Sequence, residues 1–281
     1  MTRRAPAWDR VLELAAAALA VTLTAGGCRE ATTGPEIPPL TMVWQDEFEG
    51  PAGQLPDSLK WQFDVGGWGW GNNQLEYDTD RPENCSLDGD GHLAIVARQE
   101  YYQGRSYTSA RINTNGRFQA TRGRFEARLR LPVGQGLWPA FWMLGGNFGT
   151  VGWPACGEID IMEYRGQQPY VVHGSLHGPG YSGGEALTSS YTRRGAGFDR
   201  DFHVFTVDWD EAGITWKVDG IRYRTVTPDD LPPGTDWVFD HPFFLILNVA
   251  VGGNYVGPPD ETTRFPQTML VDWVRVYQAA P

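Results

Sequence analysis

The sequence is poor in cysteine and in positive charge, and both shortages exclude classes of protein. Three of its 281 residues are cysteines, too few for a disulfide framework in a chain of this length. We expect Cys85 and Cys156 to be unpaired buried thiols, although export would permit a disulfide. Lysine and arginine number 23 against 34 acidic residues, which gives a formal net charge of −11. This balance argues against nucleic acid as a partner and favours a neutral or cationic one.

Long amphipathic helical patterns and internal repeats are also missing, so neither a helical bundle nor a solenoid is expected. The chain instead has 13% aromatic residues, 35 glycines and many short alternating runs, a combination typical of all-β proteins. The segment 213–226 predicts a hairpin that turns at Asp219 and Gly220. The continuous apolar run 243–253 predicts a strand buried on both faces. We therefore predict one antiparallel β-sandwich of two packed, curved sheets over residues 41–281.

The N-terminal residues 1–27 have the composition of an export signal, with a basic start and small residues before Cys28. Their apolar run, 14–23, is shorter than the roughly 20 residues of a membrane-spanning helix. A cysteine after small residues resembles a bacterial lipobox, in which the cysteine is lipidated. Ala25 stands where that motif more often has leucine. Cleavage of the signal without addition of a lipid is therefore the alternative. Residues 28–40 are rich in Pro, Thr and Glu and predict a flexible tether. We expect an exported protein, either a cell-envelope lipoprotein that meets the membrane only through this anchor or a secreted one.

The stretch GEIDIMEYRG places three carboxylates, Glu158, Asp160 and Glu163, in an apolar run that otherwise predicts a buried strand. Alternation along a strand puts Glu158 and Asp160 on one face and Glu163 on the other. One extra residue, in a β-bulge near Ile161 and Met162, would return Glu163 to the face of its partners. Bulges of this kind occur beside active sites, so the stretch predicts a cluster of three carboxylates.

Paired carboxylates are what glycoside hydrolysis requires, one as nucleophile or base and one as proton donor. A third carboxylate between them, Asp160, would orient the nucleophile, and its charge would help to keep a neighbour protonated. Two alternatives stay open at this point. Three carboxylates could hold calcium, although calcium ligands usually come from loops, and the stretch could be an exposed charged strand edge.

Tryptophan, glycine and asparagine are concentrated in two segments, 66–77 and 136–146. Indole rings stack on the apolar faces of sugar rings, while amide and imidazole groups bind the hydroxyls. Trp138 and Trp142 directly precede the carboxylate strand, and we interpret them as sugar-binding residues. Three tryptophans on alternating strands are expected to pack in the core instead: Trp209, Trp216 and Trp273.

Four motifs together, GLWPAFWMLG, WPACGEIDIMEY, GSLHGPGYSGG and DHPFFLILNVAVGGN, resemble the bacterial endo-β-1,3-glucanases, or laminarinases, of glycoside hydrolase family 16. The resemblance covers residues 42–278. It implies a β-jelly-roll sandwich with a substrate cleft across its concave face, and hydrolysis of β-1,3-glucan with retention of configuration. It also implies that Glu158 is the nucleophile, Asp160 its assisting carboxylate and Glu163 the acid/base, with no cofactor for catalysis.

The resemblance further implies which residues bind substrate and which hold a structural ion. Trp138 and Trp142 would line the sites nearest the cleaved bond with His177 close by, and Asn72 and Arg111 would reach glucose hydroxyls. Many members carry a structural calcium on the convex side. The residues that match its ligands are Asp272, through its side chain, and the Glu47 and Gly91 regions, through their carbonyls.

Two departures from the family pattern concern the remote part of the cleft. Tyr255 stands where the family usually has tryptophan, and residues 74–78 read Gln-Leu-Glu-Tyr-Asp where the family usually has Glu-Leu-Gln-Tyr-Tyr. Both put the remote subsites and the preferred chain length in question.

Other functions compete with this interpretation. Enzymes of the same superfamily act on agar, carrageenan or mixed-linkage glucan; the acidic balance disfavours sulfated polymers, whereas mixed-linkage glucan stays open. A non-catalytic sugar-binding jelly roll is the other alternative, but it would have no need of both Glu158 and Glu163. We expect a monomer.

Overall fold

The computed structural model describes residues 40–279, which form a sandwich of two β-sheets. The predicted export signal, Cys28 and tether residues 28–39 lie outside the described residues. Within residues 40–279, no helix has the length and apolar character needed to cross a membrane.

Seventeen strands account for most of this structure. In chain order they are β1 (Leu40–Asp46), β2 (Gln62–Phe63), β3 (Glu76–Asp78), β4 (Cys85–Leu87), β5 (Leu93–Tyr102), β6 (Arg105–Ser109), β7 (Arg111–Asn113), β8 (Gly123–Arg130), β9 (Leu137–Gly145), β10 (Glu158–Tyr164), β11 (Val171–His177), β12 (Ser189–Thr192), β13 (His203–Trp209), β14 (Ile214–Val218), β15 (Ile221–Val226), β16 (Phe243–Val251) and β17 (Gln267–Ala279). One short helix, α1 (Phe148–Val151), and two 3₁₀ turns, Gly183–Glu185 and Pro228–Asp230, complete the elements.

The larger sheet has the strand order β15-β14-β13-β8-β17-β5-β6-β3, with β1 beside β17 and β4 beside β5. The smaller sheet has the order β12-β11-β10-β9-β16-β7-β2. All the pairings are antiparallel except that of β3 with β6, which is parallel. The predicted antiparallel sandwich is thereby confirmed, with one parallel pair at an edge of the larger sheet.

The core lies between the two sheets and follows the alternation of the strands. In β8, Phe125, Ala127 and Leu129 are fully buried, while the residues between them are partly exposed. Strand β16 is buried at all nine positions, as its continuous apolar run predicts. The predicted hairpin is present: Asp219 and Gly220 both have positive φ, 50° and 78°, as a type I′ turn requires.

One expectation about the core is wrong. Trp209 and Trp216 are buried in it, but Trp273 is only partly buried and lies on the outer face under the guanidinium of Arg275. The register of β17 against β8 shifts between Val271 and Trp273, so Asp272 is an extra residue in a β-bulge and reverses the alternation. Cys85 and Cys156 are both free and buried, as expected.

Candidate active site

Strand β10 contains the predicted bulge. Asp160 is opposite Trp142 on β9 and Ser175 on β11, but the register shifts in both pairings before Glu163, which is opposite His173 on β11. One extra residue has therefore entered β10 between the second and third carboxylates. This confirms the prediction made from the spacing of the charges.

The bulge turns two consecutive apolar side chains into the core and returns Glu163 to the outer face. Three residues of β10 are buried among the core side chains: Ile159, Ile161 and Met162. The indole N–H of Trp216 donates to the backbone carbonyl of Asp160 at 2.8 Å. Since a bulge leaves ladder groups unpaired, this bond from the core satisfies a carbonyl at the point where the pairing is interrupted.

Glu158 lies between two nitrogen-bearing rings. The indole N–H of Trp153 donates to Glu158 Oε2 at 2.9 Å. His177 Nε2 is 3.7 Å from Glu158 Oε1 and 3.0 Å from Asp160 Oδ2. His177 Nδ1 accepts the backbone N–H of Gly183 at 3.0 Å, so a neutral ring carries its proton on Nε2, the ring nitrogen nearest the two carboxylates.

Glu163 has a different pair of donors. The indole N–H of Trp138 donates to its Oε1 at 3.0 Å, and the hydroxyl of Ser175 donates to its Oε2 at 3.4 Å. The Ser175 hydroxyl is also 3.0 Å from that of Thr188. The two glutamates therefore have separate hydrogen-bond surroundings, which allows them to take separate chemical roles.

Burial raises the pKa of all three carboxyl groups. For Glu158, burial and then the charge of Asp160 raise the pKa to about 8. For Asp160, burial and then the charge of Glu163 raise the pKa well above its ordinary value. Burial also raises the pKa of Glu163, while His177 and the Trp138 N–H lower it. The cluster therefore retains protons near neutral pH and can supply a carboxylic acid for general acid catalysis, whereas a nucleophilic Glu158 must first release its own proton.

The cluster also has the outline of a metal site, because Glu158, Asp160 and His177 each place a ligand atom within 4.8 Å of the others. A histidine binds a metal through an unprotonated ring nitrogen. Here Nδ1 is already engaged by the Gly183 N–H, and calcium takes oxygen ligands, not imidazole nitrogen. The histidine in this cluster therefore argues against the calcium alternative.

Arg111 and Trp142 lie together beside the carboxylates. Trp142 donates its indole N–H to Asn248 Oδ1 at 2.8 Å. The Arg111 guanidinium is 4.8 Å from the Trp142 ring centre and 4.6 Å from that of Trp70, and its Nε donates to Asp64 Oδ2 at 3.0 Å. A continuous row of rings and a guanidinium therefore leads away from the carboxylate strand across the smaller sheet.

Asn72 is connected to the site by a backbone hydrogen bond to the segment that follows β16. Its carbonyl accepts the backbone N–H of Asn254 at 2.8 Å, and the next residue, Tyr255, packs on Trp138 with ring centres 4.9 Å apart. Trp138 in turn bonds Glu163. Tyr255 therefore lies one contact from a catalytic candidate, closer than the remote position suggested by the sequence.

The residues expected to hold calcium lie in adjacent segments of the larger sheet. Strands β1 and β5 both pair with β17 around Asp272, which brings Glu47 and Gly91 to its neighbourhood. The Asp272 carboxylate bonds Arg128 and lies 4.0 Å from His92 Nε2. The Glu47 side chain is bonded by Arg275 through both oxygens at 2.8 Å; the group that the resemblance assigns to the ion is its backbone carbonyl.

Sequence reasoning missed Trp153 and Ser175. Trp153 begins the motif WPACGEIDIMEY, five residues before Glu158. Nothing in the sequence indicates that its indole N–H donates to that carboxylate. Ser175 reaches Glu163 because of the register of β11 against β10, which a sequence does not state.

A β-sandwich with paired carboxylates and tryptophans on the outer face of one sheet has the acid–base groups and the sugar-binding rings that a polysaccharide hydrolase requires. The chain belongs to glycosyl hydrolases family 16, whose family model matches residues 67–275. It is 45% identical over 251 residues to a β-glucanase of Rhodothermus marinus, covering 86% of this chain and 87% of that protein.

Two solved structures have the same fold. The catalytic domain of an endo-1,3-β-glucanase (laminarinase) from Thermotoga petrophila is 46% identical, with a TM-score of 0.82 over 87% of this chain and 100% of that chain. The endo-β-1,3-glucanase of Pyrococcus furiosus is also 46% identical, with a TM-score of 0.82 over 86% of this chain and 95% of that chain. The jelly-roll sandwich expected from the resemblance is confirmed.

Replacing Trp153 with phenylalanine is expected to lower kcat with little change in KM, because it removes the N–H donated to Glu158 and keeps most of the ring. A hydrogen bond to a charged group contributes about 1.5–3 kcal/mol, so the loss should be on the order of 10- to 100-fold. Steady-state kinetics of Trp153→Phe beside Trp237→Phe, whose indole N–H bonds the Phe239 carbonyl instead, would measure it. An equal loss in both variants would show that the effect is structural.

Proposed function

We propose that the protein is an endo-acting β-1,3-glucanase that hydrolyses internal bonds of glucans such as laminarin with retention of configuration. The observation that carries the proposal is the bulged strand β10, which gathers three carboxylates and gives Glu158 and Glu163 different hydrogen-bond donors. The similarity to β-glucanases and endo-1,3-β-glucanases supports the substrate class.

In the proposed reaction, Glu158 attacks the anomeric carbon while Glu163 donates its proton to the departing glycosidic oxygen, which breaks the bond and leaves a glycosyl ester on Glu158. Glu163, now ionised, takes a proton from water as that water attacks the same carbon and releases Glu158. Asp160 and His177, with Nε2 3.0 Å from Asp160 Oδ2, hold Glu158 in the attacking position. No cofactor takes part.

The substrate would cross the strands of the smaller sheet. Trp138 and Trp142 provide faces for the sugar rings next to the carboxylates, and Arg111, beside Trp142, would bind hydroxyl groups further along. The net charge of −11 suits an uncharged glucan better than a sulfated polymer.

A reducing-sugar assay on laminarin, lichenan, agarose and carrageenan tests this function directly. Cleavage of laminarin into large early fragments would support an endo-β-1,3-glucanase. Cleavage of agarose or carrageenan alone, or binding of laminarin without cleavage, would contradict it.

We also propose a structural calcium at the carboxylate of Asp272 and the backbone carbonyls of Glu47 and Gly91. One carboxylate and two carbonyls are oxygen ligands of the kind calcium prefers, and the pairings around β17 support their closeness. Binding would have to draw Asp272 away from Arg128, its present partner.

Chelation is therefore expected to lower the melting temperature of the wild-type protein while leaving that of Asp272→Ala unchanged, with the activity of the folded enzyme intact in both. Differential scanning calorimetry with and without chelator measures this. If the wild-type curve does not move on addition of chelator, no ion of consequence is bound there.

For localisation, we propose that the exported protein is held at a cell-envelope surface through a lipid on Cys28, with residues 29–40 as the tether. The support is the Ala-Gly-Gly-Cys sequence followed by a polar stretch. Mass spectrometry of the mature N-terminus is expected to find a diacylglyceryl-modified Cys28. An unmodified cysteine there, or a mature chain that starts elsewhere, would leave a secreted protein instead.

A further inference from the structure

Glu76 and Asp78 form a buried acidic pair that the proposed reaction does not use. They stand two residues apart on β3 and therefore point to the same face; their exposed fractions are 0% and 2%. Tyr77 between them points the other way and packs on Tyr102. These are the two positions at which the sequence has carboxylates where the resembled family has Gln and Tyr.

Each member of the pair has one oxygen with no hydrogen-bond partner among the described residues. Glu76 Oε2 accepts the backbone N–H of Val251 at 2.7 Å, but Glu76 Oε1 and Asp78 Oδ1 are buried and unpartnered. Burying two anionic oxygens without hydrogen-bond donors raises the free energy of the folded state. A proton on either carboxyl group would remove one of these buried charges.

The charges around the pair balance only when it holds one proton. The groups that face it are the guanidinium groups of Arg105 on β6 and Arg111 on β7, the carboxylate of Asp64 after β2, and the indole N–H of Trp70. With one proton, the pair and Asp64 carry two negative charges against two positive ones. Without it, three negative charges face two positive charges in a buried place.

The pKa values of both groups are raised, and that of Glu76 lies near neutral pH. Burial raises the pKa of Glu76 from 4.5 to about 7. Burial, and then the charge of Glu76, raise the pKa of Asp78 well above its ordinary value. Glu76 thus keeps its proton in mildly acidic solution and gives it up in mildly alkaline solution.

The pair lies beneath the row of Trp142, Arg111 and Trp70 that leads out of the active site. The indole N–H of Trp70 lowers the pKa of Asp78. The Trp70 ring packs against the guanidinium of Arg111, and that guanidinium packs against Trp142. Trp142 is directly opposite Asp160 on the neighbouring strand. Movement or hydration at the pair would therefore displace Trp70 and Arg111 first.

We propose that Glu76 and Asp78 are positioning residues for the far part of the cleft, formed by Trp70 and Arg111, and that a proton retained on the pair keeps these two side chains in place, so that loss of this proton weakens binding of the distal end of a glucan chain. The proposal rests on the proposed function, because the ligand is the same glucan. If the proposal holds, KM for long substrates depends on the protonation of this pair, whereas KM for short substrates and kcat do not.

Kinetics on a long and a short substrate separate this effect from the titration of the active site. For the wild type, KM for a long β-1,3-oligosaccharide should rise several-fold between about pH 6 and about pH 8.5, a window that brackets the Glu76 pKa. KM for a short aryl β-glucoside should not rise, and the pH profile of kcat should be common to both substrates. Glu76→Gln, whose amide always carries hydrogen, should flatten the KM profile.

The control is Asp208→Asn, which neutralises a partly buried carboxylate paired with Arg124 and Lys217 on the larger sheet and should keep the wild-type profile. A constant ratio of long-substrate to short-substrate KM in the wild type would overturn the proposal. The same would follow if Glu76→Gln showed the wild-type rise.

Thermal unfolding tests the retained proton without any hydrolysis. The folded protein holds a proton on Glu76 between pH 4.5 and about 7 that the unfolded chain has released, so the stability of the wild type falls as pH rises through this window. The melting temperature of Glu76→Gln minus that of the wild type should therefore increase from about pH 5 to about pH 8. An unchanged difference would refute the retained proton, and this result stands even if no glucan is cleaved.

Discussion

Glu158→Ala is expected to lose hydrolysis of β-1,3-glucan by roughly 10⁴-fold or more, the scale on which removal of a covalent nucleophile acts. The carboxylate that would form the glycosyl ester is gone, while Glu163 and its donors Trp138 and Ser175 are untouched. Added azide should then restore turnover by entering the space vacated by the carboxylate. Because this is a single displacement, the product should be the α-glycosyl azide.

The stereochemistry of the wild-type enzyme is the direct check on the same assignment. NMR of the first-formed product should show the β-anomer before mutarotation, as double displacement requires. If the α-anomer appears first, water attacks directly and Glu158 is not the nucleophile. Asp160→Asn is the graded comparison: it should lie between wild type and Glu158→Ala, since it changes the charge and hydrogen bonding around Glu158 and leaves both glutamates in place.

How far the sequence determined this site is clear from strand β10. A regular strand would point Glu163 away from Glu158 and Asp160, so a cluster of all three carboxylates predicted the bulge that the register shows. The bulge in β17 at Asp272 had no such signal, because one aspartate in an alternating run fits a regular strand equally well. Trp273 was therefore expected in the core and lies outside it.

The contacts that the sequence did not reveal all join segments distant in the chain. The carboxylates of β10 were found as a local pattern, whereas Ser175 meets Glu163 through the β10–β11 register. Tyr255 meets Trp138 through a loop that follows β16. The exchange of residues in 74–78 was visible, but its consequence was not: only the fold places Glu76 and Asp78 under Trp70 and Arg111. Local spacing thus predicts which groups share a strand face, and the packing of strands decides what those groups touch.

Glu163→Ala is expected to lose roughly 10²- to 10⁴-fold on laminarin, the usual contribution of a general acid, yet to keep substantial activity on an aryl glycoside with a good leaving group. Departure of such an aryl group needs no proton, so the glycosyl ester on Glu158 still forms. With azide, this variant should give the β-glycosyl azide, the opposite anomer to that from Glu158→Ala, because azide here replaces water in the second displacement.

The pH dependence provides the last test of the acid. Burial raises the pKa of Glu163, so the wild-type enzyme holds the required proton below that pKa and loses it above; kcat/KM on laminarin should fall as pH rises through it. In Glu163→Ala, this alkaline fall should be absent on the aryl glycoside, since the group that titrates has been removed. Stopped assays across the pH range, with Asp208→Asn as the variant that keeps the wild-type profile, measure the difference. An alkaline fall that survives in Glu163→Ala, or an equal loss on laminarin and on the aryl glycoside, would assign the proton donor to another residue.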